Sequence, residues 1–153
     1  SEIARLEAVV PRLLAVADAY PSFESGITAR YQAATGLAAL GRMVEAKVNY
    51  QSVMAMAGGD IYGQMARLGL AEAHLSTGDY DAAIVLLKGE TNTADSMVPI
   101  DAVLMRLGRA HRLAGQNKEA IEAFTRLVQE FPGSQYYPDA QEQAESLRII
   151  DPV

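Results

Sequence analysis

The stretch from Leu104 to Pro132, LMRLGRAHRLAGQNKEAIEAFTRLVQEFP, decides the fold. Its first half places large side chains at Leu104, Leu107 and His111, an i, i+3, i+7 spacing that lines one face of an α-helix. A second stripe follows Gly115 and consists of Ala120, Ile121, Phe124, Leu127, Val128 and Phe131. The stretch therefore predicts two amphipathic helices joined by a turn at Gly115.

The pattern repeats along the chain with a period of 37 residues. Gly41, Gly78 and Gly115 each end one helical pattern, and the intervals 78 − 41 and 115 − 78 both equal 37. The columns that share this register are Ala46 with Ala83 and Ala120, Leu37 with His74 and His111, Tyr50 with Leu87 and Phe124, and Ala33 with Leu70 and Leu107. A match of Arg67-Leu68-Gly69 with Arg106-Leu107-Gly108 has an offset of 39 and extends no further. We therefore reject the second offset and interpret the chain as a helical repeat protein.

The helix boundaries follow from start and stop signals. Asp60 is a suitable N-cap, Pro99 suits a first helical turn, and glycines can adopt the left-handed conformation that ends a helix. No segment alternates with period two for long. We predict an all-α protein of about eight helices, at residues 2–20, 24–40, 43–57, 60–77, 80–89, 99–114, 117–131 and 136–149.

These residues resemble the tetratricopeptide repeat (TPR) family. The matching positions have the family's spacing and are Leu104, Leu107, Gly108, Gly115, Ala120, Phe124 and Pro132. The resemblance implies a right-handed superhelix of antiparallel helix pairs, formed by one domain over residues 1–153. The expected parts are a partial repeat or cap at 1–21, repeats at 24–57, 60–95 and 99–132, and a capping helix at 136–149.

The composition limits the kinds of function. The 153 residues include 13 Lys and Arg against 19 Asp and Glu, a net charge of −6, which disfavours nucleic acid as a partner. The absence of Cys excludes disulfides and a cysteine nucleophile. No apolar run approaches the roughly 20 residues of a membrane-spanning helix, so we predict no direct membrane insertion. Because Ser1 lies within an amphipathic pattern, we expect the chain to be part of a longer protein.

Signals of catalysis are weak. Gly36 and Gly41 have the spacing of a phosphate-binding loop, but Arg42 and Met43 stand where Lys and Ser or Thr are needed. His74 and His111 occupy equivalent positions in two repeats. One interpretation is a pair of metal-binding or acid–base groups, and the other, which we favour, is packing between helices. We predict no enzymatic activity, no metal and no cofactor.

The resemblance implies a peptide-binding groove formed by the first helices of the repeats. By register, its lining positions are Thr28, Tyr31, Thr35, Met65, Leu68, Glu72, Ala102, Met105, Arg109 and Arg112. Our predicted site consists of Tyr31, Thr35, Met65, Leu68, Glu72, Met105, Arg109 and Arg112. The Asn and Lys residues of a two-carboxylate clamp are absent from these positions, which disfavours an acidic chaperone tail. The alternative is that Leu68 and Met105 only pack against neighbouring helices.

The resemblance also suggests a biological setting. Residues 61–148 are similar to periplasmic repeat domains of Sec-translocon ancillary subunits and of outer-membrane assembly or cell-division coordinators. We predict a scaffold that binds a protein segment in bacterial envelope assembly or secretion, with a periplasmic or envelope location and a cytoplasmic one as the alternative. The alternative function is self-association, in which an end of the repeat stack or the groove binds another copy.

Overall fold

A computed structural model describes residues 1–92, 94 and 96–152. Within these residues the chain forms eight α-helices and no β-strand, which confirms the all-α prediction. The helices are α1 (Glu2–Ala19), α2 (Glu24–Ala39), α3 (Met43–Ala57), α4 (Ile61–Ser76), α5 (Tyr80–Gly89), α6 (Ile100–Leu113), α7 (Asn117–Glu130) and α8 (Tyr137–Ile150). Every predicted boundary lies within one residue of the observed boundary. None of the described helices is both long and apolar enough to span a membrane.

The helices pack into two compact units. The first unit runs from Ser1 to Thr77 and contains α1 to α4, and the second begins at Gly78 and contains α5 to α8. The unit boundary falls inside the predicted repeat 60–95. The division of one domain into repeats therefore stays a prediction.

Each unit is built from sequence neighbours. In the first unit, α1 packs on α2, α2 on α3 and α3 on α4, and α2 also contacts α4. In the second unit, α5 packs on α6, α6 on α7 and α7 on α8. Consecutive helices joined by short turns must run antiparallel in order to contact each other along their lengths.

Glycine turns explain where α2 and α6 end. Gly41 has φ 76°, and the N–H of Arg42 donates to the carbonyl oxygen of Leu37 at 2.9 Å. Gly115 has φ 77°, and the N–H of Gln116 donates to the carbonyl oxygen of His111 at 2.8 Å. Both are Schellman caps, which need a residue in the left-handed conformation and therefore favour glycine. The periodic glycines of the sequence thus have a common structural cause.

The helix starts agree with the sequence at one position and differ at another. The side chain of Asp60 accepts hydrogen bonds from the N–H groups of Tyr62, at 2.8 Å, and Gly63, at 3.2 Å, as expected of an N-cap. Pro99 is the residue before α6 rather than part of its first turn, with φ −65° and ψ 119°. This ψ is extended rather than helical, so Pro99 is the N-cap residue of α6. The prediction that Pro99 lies inside the first turn is wrong by one residue.

An aromatic ring against a glycine organises the core of each unit. In the second unit, Phe124 is fully buried, and a Cβ at Gly108 would overlap its ring. In the first unit, a Cβ at Gly69 would overlap the ring of Tyr50. Gly108 approaches the helix that follows it, whereas Gly69 approaches the helix that precedes it. The two glycines therefore have different packing roles, in agreement with the rejection of the 39-residue offset.

Candidate functional site

Three tyrosines form a contact set in the first unit. The ring centroids of Tyr31 on α2 and Tyr62 on α4 are 6.4 Å apart in an edge arrangement, and those of Tyr31 and Tyr50 are 6.0 Å apart. Aromatic pairs in this distance range attract each other beyond the effect of burial alone. Tyr50 is buried, while Tyr31 and Tyr62 remain half-buried. The two half-buried rings therefore present aromatic surface on adjacent helices.

A hydroxyl chain fixes this corner of the surface. The hydroxyl of Tyr50 donates to Oγ1 of Thr35 over 3.5 Å, and Thr35 Oγ1 donates to the carbonyl oxygen of Tyr31 at 3.0 Å. Burial raises the pKa of Tyr50 above its usual value, against a smaller lowering by the hydrogen bond to Thr35. Tyr50 is consequently neutral at physiological pH and acts as a packing and hydrogen-bonding residue.

The α4 helix continues the surface with a stripe of half-buried side chains. Tyr62, Met65, Leu68 and Glu72 are spaced at i, i+3, i+6 and i+10 and are all partly exposed. We call Tyr31, Thr35, Tyr62, Met65 and Leu68 the tyrosine surface. Four of these five residues belong to the site predicted from the sequence, namely Tyr31, Thr35, Met65 and Leu68. Sequence reasoning missed Tyr62, although it lies one turn before Met65 on the same stripe.

The predicted site residues of the second unit have unequal exposure. Met105 is only 5% exposed and belongs to a core cluster with Leu104, Phe124 and Leu147. This burial supports the packing alternative for Met105, and a ligand cannot reach its side chain in this conformation. Arg109 is partly exposed and Arg112 is exposed near the C-terminal end of α6. A helix C-terminus carries partial negative charge, so Arg112 is well placed to stabilise this end of α6. Its contact with a ligand stays a prediction.

The two histidines lie on packed helices. His111 is 3% exposed, and its Nδ1 lies 2.7 Å from Oε1 of Gln116. Because Gln116 belongs to the turn after Gly115, this hydrogen bond ties the end of α6 to its Schellman cap. His74 is partly buried at the equivalent position of α4. Among the residues that the structure describes, no group of three or more His, Cys, Asp or Glu side chains could hold a metal ion.

An open cavity of about 210 Å³ lies between α6 and α7 in the second unit. Leu104, Leu107 and His111 form part of its wall, and charged side chains of both signs surround it. These are Lys88, Glu119, Glu122 and Arg126. Arg126 is already engaged, since it donates to Glu130 at 2.7 Å and to the carbonyl oxygen of Thr91 at 3.3 Å. No pattern in the sequence predicted this cavity.

Comparisons with known proteins agree with the helix packing. Residues 102–134 match the family model described as tetratricopeptide repeat. No sequence among the curated proteins matches the chain.

Solved structures extend the similarity over the whole chain. The nearly identical TPR-like repeats of a protein assigned as kinesin light chain from Podosopora anserina align with a TM-score of 0.77 at 18% identity, over 95% of this chain and 79% of that one. A second crystal structure of those repeats, which carries one substitution, aligns with the same TM-score of 0.77 at 19% identity, over 95% of this chain and 78% of that one.

A third similar structure is the MamA RS-1 ArsTM double mutant. It aligns with a TM-score of 0.65 at 16% identity, over 100% of this chain and 98% of that one. At these identities the structural alignments establish the fold. Together with the family match, they show that the chain has the tetratricopeptide-repeat fold, with one repeat of that family at residues 102–134.

Proposed function

We propose that this chain is a non-enzymatic scaffold that binds a peptide or helix of another protein through the tyrosine surface. The TPR fold is consistent with a protein–protein interaction scaffold, and TPR proteins are typically non-enzymatic. The observation that carries the proposal is the contact between Tyr31 on α2 and Tyr62 on α4, with both rings half-buried. Half-exposed tyrosines on a rigid helical frame offer large contact area at low entropic cost.

The chemistry of the surface indicates what its ligand contains. Met65 and Leu68 provide an apolar floor beside the tyrosines. The hydroxyl of Thr35 is already engaged with the Tyr50 hydroxyl and the Tyr31 carbonyl oxygen, so the surface is mainly apolar and aromatic. A segment with a large apolar or aromatic side chain would fill such a surface. In the second unit, Arg109 and Arg112 stay predicted contacts for an acidic side chain.

The direct test is selection of binding peptides from a random peptide library, followed by measurement of Kd by fluorescence anisotropy. Thr35→Glu places a charge at an exposed position of the tyrosine surface but also removes the acceptor of the Tyr50 hydroxyl, so its effect is read against that of Thr35→Ala. We expect the charge to weaken binding by about tenfold or more beyond Thr35→Ala. Leu68→Ala should weaken the same peptides. Val85→Ala, at a position 72% exposed in the second unit, is the matched control and should leave Kd unchanged.

Two results would contradict the proposal. One is a library that yields no binder to the folded wild-type chain. The other is a set of binders whose Kd changes in Val85→Ala as much as in Thr35→Glu. Circular dichroism of each variant separates loss of binding from loss of folding.

We further propose that the scaffold acts in the bacterial envelope, in assembly or secretion. The support is the sequence resemblance of residues 61–148 to periplasmic repeat domains. Fractionation of the full-length gene product in its native host tests the location. Recovery with the membrane or periplasmic fraction supports it, and recovery with cytosolic markers contradicts it.

A further inference from the structure

The open cavity between α6 and α7 lies in the second unit and contains no residue of the tyrosine surface. We call it the α6–α7 cavity. Its volume is about 210 Å³, which is smaller than the roughly 300–1,000 Å³ that is typical of sites for drug-sized ligands. The volume therefore suits a small molecule.

Part of the cavity wall is apolar. Leu104 and Leu107 of α6 and Ala123 of α7 line it, and all three are buried. None of these side chains can form a hydrogen bond, so a polar group placed against them would lose its contacts with water without compensation. A ligand therefore needs a hydrocarbon segment where it touches this part of the wall.

Charged side chains of opposite sign lie on the two sides of Ala123 along α7. Glu119 and Glu122 come before it and Arg126 follows it, and all three line the cavity. With a rise of about 1.5 Å per residue, Arg126 is about 6 Å from Glu122 and about 10 Å from Glu119 along the helix axis. The charges of the cavity are therefore sorted into an acidic and a basic end.

Arg126 organises the basic end. Its guanidinium donates to Glu130 at 2.7 Å and to the carbonyl oxygen of Thr91 at 3.3 Å. Thr91 Oγ1 donates in turn to the carbonyl oxygen of Lys88 at 2.8 Å, which places Lys88 at the same end. A guanidinium has five N–H donors, so Arg126 retains donors for a further carboxylate. We call Lys88 and Arg126 the basic end.

His111 lies at the end of the cavity that carries the two glutamates. It is four residues before Gly115, and Glu119 is four residues after it, so antiparallel packing of α6 on α7 brings the two to the same level. Nδ1 of His111 donates to Oε1 of Gln116 at 2.7 Å, because an amide oxygen can only accept. In the neutral ring the remaining nitrogen, Nε2, is then an acceptor. We call Glu119, Glu122 and His111 the acidic end.

The charges at the two ends are not neutralised within the part of the chain that the structure describes. Glu119, Glu122 and Lys88 form no ion pair with another described residue. Arg126 is paired with Glu130 and therefore contributes donors rather than net charge. A ligand with one ammonium and one carboxylate would supply the missing partners at both ends.

We propose that the α6–α7 cavity binds a small zwitterion whose ammonium and carboxylate are separated by an apolar stem, that is, an ω-amino acid. The ammonium donates to the acidic end, the carboxylate accepts from the basic end, and the stem lies against Leu107 and Ala123. An α-amino acid does not fit, because its two charges share one carbon and cannot reach both ends. This inference does not depend on the proposed function of the tyrosine surface.

Titration of the ¹⁵N-labelled chain with 6-aminohexanoate, followed by NMR, tests the proposal. When extended, this probe separates its charges by about 7–8 Å, given bonds of roughly 1.5 Å, and this span lies within the separation of the two ends. We expect saturable shifts of the amide signals of Leu107 and Ala123.

Three related compounds test which features of the probe are recognised. Norleucine is an isomer of 6-aminohexanoate with both charges on one carbon, and hexylamine and hexanoate each keep only one charge. Each of the three should bind about threefold or more weakly than 6-aminohexanoate, which is the scale of one lost exposed ion pair.

Variants of the cavity assign the two ends. Glu119→Gln/Glu122→Gln removes two charges with little change in side-chain size and should weaken binding of 6-aminohexanoate by about threefold or more. The same variant should not weaken binding of hexanoate, which has no ammonium. Lys88→Gln should weaken the binding of both compounds, since both carry the carboxylate.

The matched control is Glu142→Gln/Glu145→Gln on α8. It makes the same change in charge, at the same i, i+3 spacing and at exposed positions, outside the α6–α7 cavity. It should leave the affinity for 6-aminohexanoate unchanged. Circular dichroism of each variant checks that the folding is equal.

Three results would overturn the inference. The first is a titration of the wild-type chain with 6-aminohexanoate that gives no saturable shift. The second is equal affinity for norleucine, because separation of the charges would then not be recognised. The third is an equal loss of affinity in the α8 control and in Glu119→Gln/Glu122→Gln, since the overall charge of the chain would then explain binding.

Discussion

Both units press an aromatic ring against a glycine of a neighbouring helix, but the two contacts differ in chemistry and in direction. In the second unit, Gly108 lies against Phe124, which is wholly apolar and fully buried. In the first unit, Gly69 lies against Tyr50, whose hydroxyl reaches Thr35 at the surface. The contact between Gly108 and Phe124 is closed to solvent. The contact between Gly69 and Tyr50 connects the core of the first unit to the tyrosine surface. This difference is the reason why we place the proposed recognition surface on the first unit.

The largest loss of stability should come from removing the buried ring of Phe124 in the second unit. Phe124→Ala deletes a ring that is 0% exposed, and we expect it to lower the free energy of unfolding by about 3–5 kcal/mol. Tyr50→Phe keeps the ring of the first unit and removes only the hydroxyl, so its cost should be well below that range. Urea unfolding followed by circular dichroism measures both. Equal losses in the two variants would contradict the difference between the units.

The fold could be predicted from the sequence because the repeat marks both the turns and the ends of the helices. The 37-residue period located the glycine turns, and the observed φ values at Gly41, Gly78 and Gly115 are all between 76° and 80°. A Schellman cap needs this conformation, so the sequence signal and the helix end have the same physical cause.

The candidate site could be predicted only in part. Periodicity shows which residues share a face of a helix, but it does not show which neighbouring helix covers that face. Met105 illustrates the problem, because its cluster includes Ala140, Ala144 and Leu147 of α8. The register placed Met105 with Arg109 and Arg112, while packing by α8 buries it. Tyr62 was missed for the opposite reason, since its ring contact with Tyr31 depends on how α2 and α4 approach each other.

A smaller loss of stability should follow from adding a methyl group at Gly108 or at Gly69. In Gly108→Ala and in Gly69→Ala the new Cβ overlaps an aromatic ring, and each should cost about 1–3 kcal/mol. Combining Gly108→Ala with Phe124→Leu should cost less than the sum of the two single changes, since the smaller side chain makes room.

Gly133→Ala is the control for these glycine variants, since nothing lies within 4 Å of a Cβ at that position. It should leave the urea midpoint close to that of the wild-type chain. Purely additive losses at Gly108 and Phe124 would show that the two residues are not packed as described.

The smallest expected effect is a change in the pH dependence of stability that comes from Tyr50 in the first unit. The pKa of Tyr50 is raised in the folded chain, mainly by burial, from the ordinary value of 10.0. The folded state therefore holds this proton more tightly than the unfolded state. The resulting stability is fully present below about pH 10 and is lost as pH rises through the folded pKa.

Thermal unfolding measured from neutral to strongly alkaline pH checks this expectation. The wild-type chain should lose stability more steeply above about pH 10 than Tyr50→Phe, which has no such proton. Identical alkaline profiles for the two proteins would contradict the burial of the Tyr50 hydroxyl.

We propose that the tyrosine surface binds protein ligands, whereas the core of the second unit only supports the fold. The chain contains six methionines, and two of them report on these regions: Met65 on the tyrosine surface and Met105 in the core. The most direct measurement is a methyl NMR titration of ¹³C-methionine-labelled chain with a library-selected peptide. We expect the Met65 signal to shift in proportion to bound peptide while the Met105 signal stays in place. A saturating titration that leaves Met65 unmoved would contradict it.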